Sequence, residues 1–217
     1  MSAIFADRRD AGRKLAAAVK RLDLADPLVL ALPRGGVPVG YEIARALGAP
    51  MDVLFVRKIG APGHEEYGIG ALVDGGSPEI VIDHRAALQA GATTEYIQRE
   101  VTRQLAEIER RRALYRAGPA AALLGRTVIV ADDGIATGGT VRAALQALGQ
   151  SAAARVILAV PVAPAEVLPM LVVLCDGVVC LATPQPFHAV GSHYADFNQT
   201  ADEEVIELLA AAKEPVE

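Results

Sequence analysis

The sequence predicts a three-layer α/β domain with a mostly parallel central sheet and helices on both of its faces. Short runs rich in Val and Ile alternate with helix-period segments, which is typical of βαβ units. The runs are apolar at nearly every position, as expected of strands that are covered on both faces. A chain of 217 residues with 52% hydrophobic residues can bury a full core. We therefore expect one domain over residues 1–217.

The predicted strands are short, and helix-period segments separate most of them. Ligands of such sheets bind outside the carboxyl ends of the strands, so the loops after the strands should hold the chemistry. The strands are Leu28–Leu32, Val53–Val56, Ile80–Ile82, Val128–Ala131, Val156–Val160 and Val178–Leu181.

Four helices are predicted around these strands. The first begins behind Asp7 as N-cap, the second ends at Gly48, and the fourth runs from about Thr140 to Gly149. The third covers about 94–116, within an inserted helical segment of about 84–118. One face of the third helix is charged, which indicates a solvated surface. That face carries Arg99, Glu100, Arg103, Glu107, Arg110, Arg111 and Arg112.

Composition and charge exclude several classes of protein. A net charge of -5 argues against a broad nucleic-acid-binding face. The first residues lack the pattern of a signal peptide, and prolines and acids interrupt the apolar stretch Val156–Cys180 before it could span a membrane. We interpret Cys175 and Cys180 as core thiols rather than a disulfide or a metal pair. These features favour a cytoplasmic protein.

The segment from Val128 to Thr140 carries the strongest chemical signal. An apolar strand delivers Asp132 and Asp133 at its carboxyl end, and a glycine turn then opens a helix. Backbone N–H groups at such a helix N-terminus form a cradle for a phosphate. Two acids beside a phosphate suit sugar hydroxyls and Mg²⁺, which together indicate a ribose 5-phosphate. The alternative is a tight turn with solvated acids.

This segment resembles the phosphoribosyl diphosphate signature of type I phosphoribosyltransferases. The resemblance implies that Asp132 and Asp133 hold the ribose hydroxyls and the Mg²⁺ ion. It also implies a 5′-phosphate site, formed by Ala136, Thr137, Gly138, Gly139 and Thr140.

Two further loops fit the same resemblance. Arg34, Gly35 and Gly36 resemble the diphosphate-binding loop of the family, which implies a cis peptide at Pro33–Arg34. A plain turn with a surface arginine is the alternative. The cations Arg57 and Lys58 are predicted diphosphate ligands with a catalytic role.

The segment that follows Lys58, about 59–70, corresponds in position to the family's flexible catalytic lid. His64 within it is either a catalytic acid or base or an exposed loop residue.

The segment of about 184–200 is the candidate hood over the acceptor. Phe187 and Tyr194 are its predicted acceptor-binding residues, although aromatic residues here could instead seal the end of the core. One departure concerns Ala136, because members acting on 6-oxopurines usually carry an acid there. The resemblance therefore disfavours a hypoxanthine or guanine acceptor.

The resemblance predicts Mg²⁺-dependent transfer of a 5-phosphoribosyl group from phosphoribosyl diphosphate to a small nucleobase-like acceptor, with release of diphosphate. Two alternatives stay open: a non-catalytic regulator that senses phosphoribosyl diphosphate, and a hydrolase or phosphorylase acting on a ribose phosphate. The resemblance also leaves a homo-oligomer open, and it does not name the acceptor.

Overall fold

The computed structural model describes residues 3–74, 78–115 and 121–213. Helices and strands alternate along the chain, and a short 3-10 turn, Val190–His193, precedes the last helix. In chain order the elements are α1 (Arg8–Lys20), β1 (Pro27–Ala31), α2 (Gly36–Leu47), β2 (Met51–Val53), β3 (Phe55–Ala61), β4 (His64–Asp74), β5 (Pro78–Ile82), α3 (His84–Gln89), α4 (Thr94–Tyr115), β6 (Thr127–Ala131), α5 (Gly139–Leu148), β7 (Arg155–Val162), α6 (Leu168–Val172), β8 (Gly177–Ala182) and α7 (Asp202–Ala211).

Five strands form a parallel sheet in the order β2-β1-β6-β7-β8. Strands β1, β6 and β7 lie side by side in the middle, so their carboxyl ends meet at one edge. Ala31 pairs with Ala131, and Ala131 pairs with Ala159, which places the loops after these strands next to one another. The predicted fold class is confirmed.

A second, antiparallel sheet of β3, β4 and β5 corrects two strand predictions. The predicted strand Val53–Val56 is divided between β2 and β3 at Leu54, whose N–H still bonds to Ala31 of the parallel sheet. The predicted strand Ile80–Ile82 lies in β5, outside the parallel sheet. The run Val53–Val56 carries no signal of a change of sheet, because Val53, Leu54 and Phe55 are buried on both sides of the break.

The core occupies both faces of the parallel sheet. Residues of α1, α2 and α7 fill one face, where Leu15, Ile43 and Val205 are fully buried. Residues of α5 and α6 fill the other face, with Leu145 and Leu171 fully buried. This arrangement gives the three layers that the sequence predicts.

The helical segment between β5 and β6 consists of α3 and α4. Ile108 and Tyr115 of α4 point into the core. Most of the charged face forms ion pairs within the helix, such as Arg103 with Glu100 and Arg110 with Glu107, which supports a solvated surface. Arg112 pairs with Glu109 within the helix and also reaches outside it, since its Nε lies 2.7 Å from Asp74, a fully buried residue at the end of β4.

Two smaller predictions also have outcomes. Cys175 and Cys180 are free, half-buried thiols, and each Sγ donates to backbone carbonyls. Within the described part of the chain, no helix is long and apolar enough to cross a membrane.

Candidate functional site

Asp132 and Asp133 directly follow β6, in the middle of the carboxyl edge of the sheet. Oδ1 of Asp132 accepts a hydrogen bond from the N–H of Asp133 at 2.9 Å. Burial, and then the neighbouring charge of Asp133, raise the pKa of Asp132. Burial also raises the pKa of Asp133, and the cation Arg8 opposes that shift. The two acids are therefore in different electrostatic environments.

The loop after the acids presents its backbone at the N-terminus of α5. Gly138 is the N-cap with φ 78°, a conformation that residues with a side chain rarely adopt. A Cβ added to Gly139 would meet no atom within 4 Å, so the backbone there faces open space. Thr137, Gly139 and Thr140 are exposed. This geometry suits an anion, because the first N–H groups of a helix have no partners within the helix.

A cavity of about 520 Å³ lies between this helix N-terminus and the antiparallel sheet. Thr137, Gly139 and Thr140 line one side, and Lys58 and Gly68 line the other. Its size is within the range of small-molecule sites. The cavity places a cation opposite the open backbone of the loop.

The loop between β1 and α2 contacts the acids from another direction. The Pro33–Arg34 peptide is cis, as the resemblance implies. A Cβ added to Gly35 would lie 2.0 Å from Oδ2 of Asp133, and a Cβ added to Gly36 would lie 2.6 Å from the carbonyl oxygen of Ala131. Only glycine allows this loop to lie against the acids.

Arg34 extends from the same loop toward α7. Its Nη1 lies 3.4 Å from Oδ1 of Asp202, and the hydroxyl of Tyr115 also donates to that oxygen. Burial and the hydrogen bond with Asp202 raise the pKa of Tyr115 to about 12. The predicted diphosphate ligand Arg34 therefore stands at the acid edge, partly exposed, with a carboxylate as its present partner.

The structure separates the predicted pair Arg57 and Lys58. Neighbouring residues of a strand point to opposite faces of the sheet. Lys58 lines the cavity together with the loop that leads into α5, residues 136–140, called the α5 loop below. Nε of Arg57 donates instead to Oε1 of Gln104 on α4 at 2.9 Å. Burial, followed by the nearby cation Arg111, lowers the pKa of Arg57. The two cations thus lie on different sides of β3.

The predicted lid forms the hairpin of β3 and β4, and Gly63 in its turn has φ 72°. His64, the first residue of β4, is exposed.

The predicted hood lies beside the acids. Tyr194 is buried, and its hydroxyl donates to the carbonyl oxygen of Asp133 at 2.5 Å. Phe187 is half-buried in the same cluster, with its ring centroid 5.0 Å from that of His193.

Arg8 is a site residue that the sequence prediction missed. Its Nε donates to Oδ2 of Asp133 at 2.7 Å, and its guanidinium carbon lies 3.8 Å from the ring centroid of Phe197. The contact joins residues 125 positions apart. No local pattern marks Arg8, because it looks like any charged residue in the first turn of a helix.

The chain was compared with protein families and curated proteins. The family model described as "Phosphoribosyl transferase domain" matches residues 3–170. Two Mycobacterium tuberculosis proteins, from strains CDC 1551 / Oshkosh and H37Rv, are 43% identical over 211 residues, which cover 96% of this chain. Both are named "Putative phosphoribosyl transferase". The chain spans 47% of the length of these relatives.

A solved structure is similar over the whole fold. The crystal structure of TT1426 from Thermus thermophilus superposes with a TM-score of 0.83 at 44% identity. The match covers 95% of this chain and 98% of that one.

Proposed function

The chain belongs to the phosphoribosyl transferase domain family, and from this premise we propose that it transfers a 5-phosphoribosyl group from phosphoribosyl diphosphate to a nucleobase-like acceptor. In the proposed reaction Mg²⁺ is required and diphosphate leaves. The observation that carries the proposal is the meeting of two glycine loops at one acid pair. The α5 loop offers open backbone to a phosphate, and the Gly35–Gly36 loop lies against Asp133.

The acid pair would hold the ribose between two anion sites. Carboxylates accept hydrogen bonds from hydroxyls, and a vicinal diol matches two adjacent carboxylates. The 5′-phosphate would bind on the α5 side, at Ala136, Thr137, Gly138, Gly139 and Thr140. The diphosphate would extend to the other side, toward Arg34.

The acids also fit Mg²⁺. In the part of the chain that the structure describes, the cation in contact with the acid pair is Arg8, which pairs with Asp133, so the two carboxylates carry surplus negative charge once both are ionised. Among the described residues no group of three or more His, Cys, Asp or Glu side chains could hold a metal ion. Mg²⁺ commonly uses one or two protein carboxylates and completes its shell with phosphate oxygens and water. When bound, the ion would neutralise charge on the leaving diphosphate.

The chain's own residues would supply most of the remaining catalysis by positioning and electrostatics. Arg34 would bind the diphosphate, where negative charge grows as the bond to the ribose breaks. Lys58 would compensate phosphate charge from across the cavity. Arg57, which lies on the α4 side of β3, would act on the diphosphate from that face.

The acceptor would bind beneath the hood, near Phe187. Tyr194 lies against Asp133, and because its hydroxyl already donates to a carbonyl, it would contact the acceptor through its ring or by accepting a hydrogen bond. Ala136 is exposed and has no acid to receive a proton, which favours acceptors other than 6-oxopurines.

The test is diphosphate release from phosphoribosyl diphosphate and Mg²⁺ across a panel of bases. We expect release that depends on one acceptor and disappears in the Asp132→Asn, Asp133→Asn double variant. Release without any acceptor would indicate a hydrolase instead. Stabilisation by phosphoribosyl diphosphate with no release for any base would indicate a regulatory binding protein.

A further inference from the structure

We propose that Arg8 is a positioning residue for Asp133: it fixes the carboxylate so that one oxygen is presented to a ribose hydroxyl. The inference rests on the proposed role of the acids in ribose binding. Arg8 lies in the first turn of α1, so this function would come from outside the acid loop and the phosphate loop.

The ion pair is short and mostly removed from water. Nε of Arg8 lies 2.7 Å from Oδ2 of Asp133, and the two side chains are 12% and 15% exposed. Charge-assisted hydrogen bonds of this kind are stronger and more directional than exposed ion pairs. Arg8 and the backbone of Gly35 both lie against Oδ2, so a ribose hydroxyl that reaches this carboxylate would have to bind Oδ1.

The guanidinium is itself held from two other directions. Its Nη1 donates to the carbonyl oxygen of Asn198 at 2.6 Å, and its plane lies over the ring of Phe197. Arginine fits this place because it combines a fork of donors with a flat face that stacks on aromatic rings. A lysine could keep the charge near Asp133 but not both other contacts.

The backbone of Asp133 is fixed from the same segment. The hydroxyl of Tyr194 donates to the carbonyl oxygen of Asp133. Tyr194 lies four residues before Asn198, whose carbonyl oxygen binds Arg8. Side chain and main chain of one acid are therefore both tied to residues 194–198, one through Arg8 and one directly. Within the described part of the chain, Asp132 has neither contact.

A purely structural role for Arg8 predicts something different. If Arg8 only attached residues 197–198 to α1, its loss would lower stability and weaken all ligands of the site alike. If Arg8 positions Asp133, its loss would weaken ligands that carry a ribose and spare those that bind only the phosphate loop.

Calorimetry with ribose 5-phosphate and with inorganic phosphate separates these roles. We expect Arg8→Ala to weaken ribose 5-phosphate about tenfold, because a charge-assisted hydrogen bond no longer orients the acid, and to leave phosphate affinity unchanged. Arg8→Lys should lose about threefold for ribose 5-phosphate alone, as it keeps the charge but loses the fork. Arg9→Ala is the matched control, since Arg9 pairs with Glu42, away from the acids, and should change neither affinity.

A double-mutant cycle completes the test. In an Asp133→Asn background, Arg8→Ala should cause no further loss of ribose 5-phosphate affinity, because Arg8 acts through Asp133. Additive losses, or equal weakening of both ligands by Arg8→Ala, would overturn the proposal. If Arg8→Ala does not fold, unchanged ribose 5-phosphate affinity in Arg8→Lys would overturn it. Failure of the wild-type protein to bind ribose 5-phosphate any better than phosphate would instead overturn the proposed function, and this inference with it.

Discussion

Asp132 and Asp133 are adjacent in the sequence, yet among the described residues only Asp133 has a cation in direct contact. Asp132 is held by one backbone N–H, and burial disfavours its charged form. A buried carboxylate that lacks a cation lowers stability. Asp132 therefore represents a local cost to the ligand-free fold, which the proposed ribose hydroxyls and Mg²⁺ would relieve.

Replacement of both acids should separate binding from stability. Phosphoribosyl diphosphate with Mg²⁺ should raise the melting temperature of the wild-type protein, by the equivalent of about 2.7 kcal/mol at a hundredfold excess over Kd. The Asp132→Asn, Asp133→Asn variant should lose most of that rise and remain folded, as thermal denaturation would show. Asp132→Asn alone should melt above the ligand-free wild type, because it removes a buried charge. An equal ligand-induced rise in the double variant would contradict the ribose assignment.

Arg34 and Lys58 lie on different sides of the acids, so their losses should have different effects. Hydrogen bonds to charged groups contribute about 1.5–3 kcal/mol, or roughly tenfold to a hundredfold in affinity. Arg34→Ala should weaken phosphoribosyl diphosphate by that factor and leave ribose 5-phosphate unchanged. Lys58→Ala should weaken both, because Lys58 lines the cavity of the α5 loop. Calorimetry measures the affinities for the two ligands. If Arg34 and Lys58 are only surface cations, neither substitution should change either affinity.

At the scale of elements, the parallel strands were predictable and the antiparallel sheet was not. Strands such as β6 and β7 are buried on both faces, so an unbroken apolar run marks them. β3 has buried ends but carries Arg57 and Lys58 in its middle, each directed to a different environment. The sequence therefore predicts that the strand ends near Lys58 and that a loop follows. In the structure the chain continues instead as a hairpin of β3 and β4.

Only part of the candidate site could be predicted from the sequence, for a related reason. The acids, the glycines and the threonines occupy contiguous segments, and contiguous chemistry can be read from a motif. Arg8 and Asp202 reach the site from α1 and α7, which are far from the acids in the sequence. Each is an ordinary charged residue in the first turn of its helix. Only the packing of the helices brings them to the sheet edge.

The hairpin of β3 and β4 should respond to ligands as a unit. Its outer part, about residues 59–69, packs on α3 and α4, and its register shifts at Gly60. We expect hydrogen exchange there to slow when phosphoribosyl diphosphate and an acceptor analogue are both bound, with β1 peptides unchanged as an internal control. Equal, strong protection with and without ligands would identify a fixed structural hairpin.

The ion pair between Arg112 of α4 and Asp74 of β4 should contribute strongly to the stability of the inserted helical segment. Removing one partner of a buried ion pair costs about 3–5 kcal/mol. Arg112→Met should lower the free energy of unfolding by about that amount, since Asp74 is fully buried. Arg110→Met is the matched control on the same helix: Arg110 is 64% exposed and should cost less than about 1 kcal/mol. Similar urea midpoints for the two variants would show that Asp74 does not depend on Arg112.

At the scale of the whole molecule, the two core clusters share one sheet. Leu28 and Val29 are neighbours on β1, and they belong to opposite faces of the core. Because each central strand contributes to both clusters, neither face can lose its packing without exposing the other. The single domain expected over residues 1–217 follows from this sharing and stays a prediction.

Calorimetric unfolding tests that prediction directly. We expect the isolated chain to unfold in one transition, with a van't Hoff enthalpy equal to the calorimetric enthalpy. Two resolved transitions, one of which disappears when residues 84–115 are destabilised by Arg112→Met, would show that the inserted helices form a separate unit.

Residues 5–8 and residues 194–198, which are far apart in the sequence, lie side by side next to the acid pair. The N–H of Ala195 bonds to the carbonyl of Phe5, and that of Asp196 bonds to the carbonyl of Ala6, directly before the start of α1. During synthesis, which proceeds from the N-terminus, the α1 segment is made first and its partners at 194–198 emerge only after nearly the entire sheet. A nascent chain would therefore carry the acids and the phosphate loop well before Arg8 and Tyr194 can hold Asp133 in place. Arg8 and Tyr194 can hold Asp133 in this way only after residues 194–198 have been synthesised.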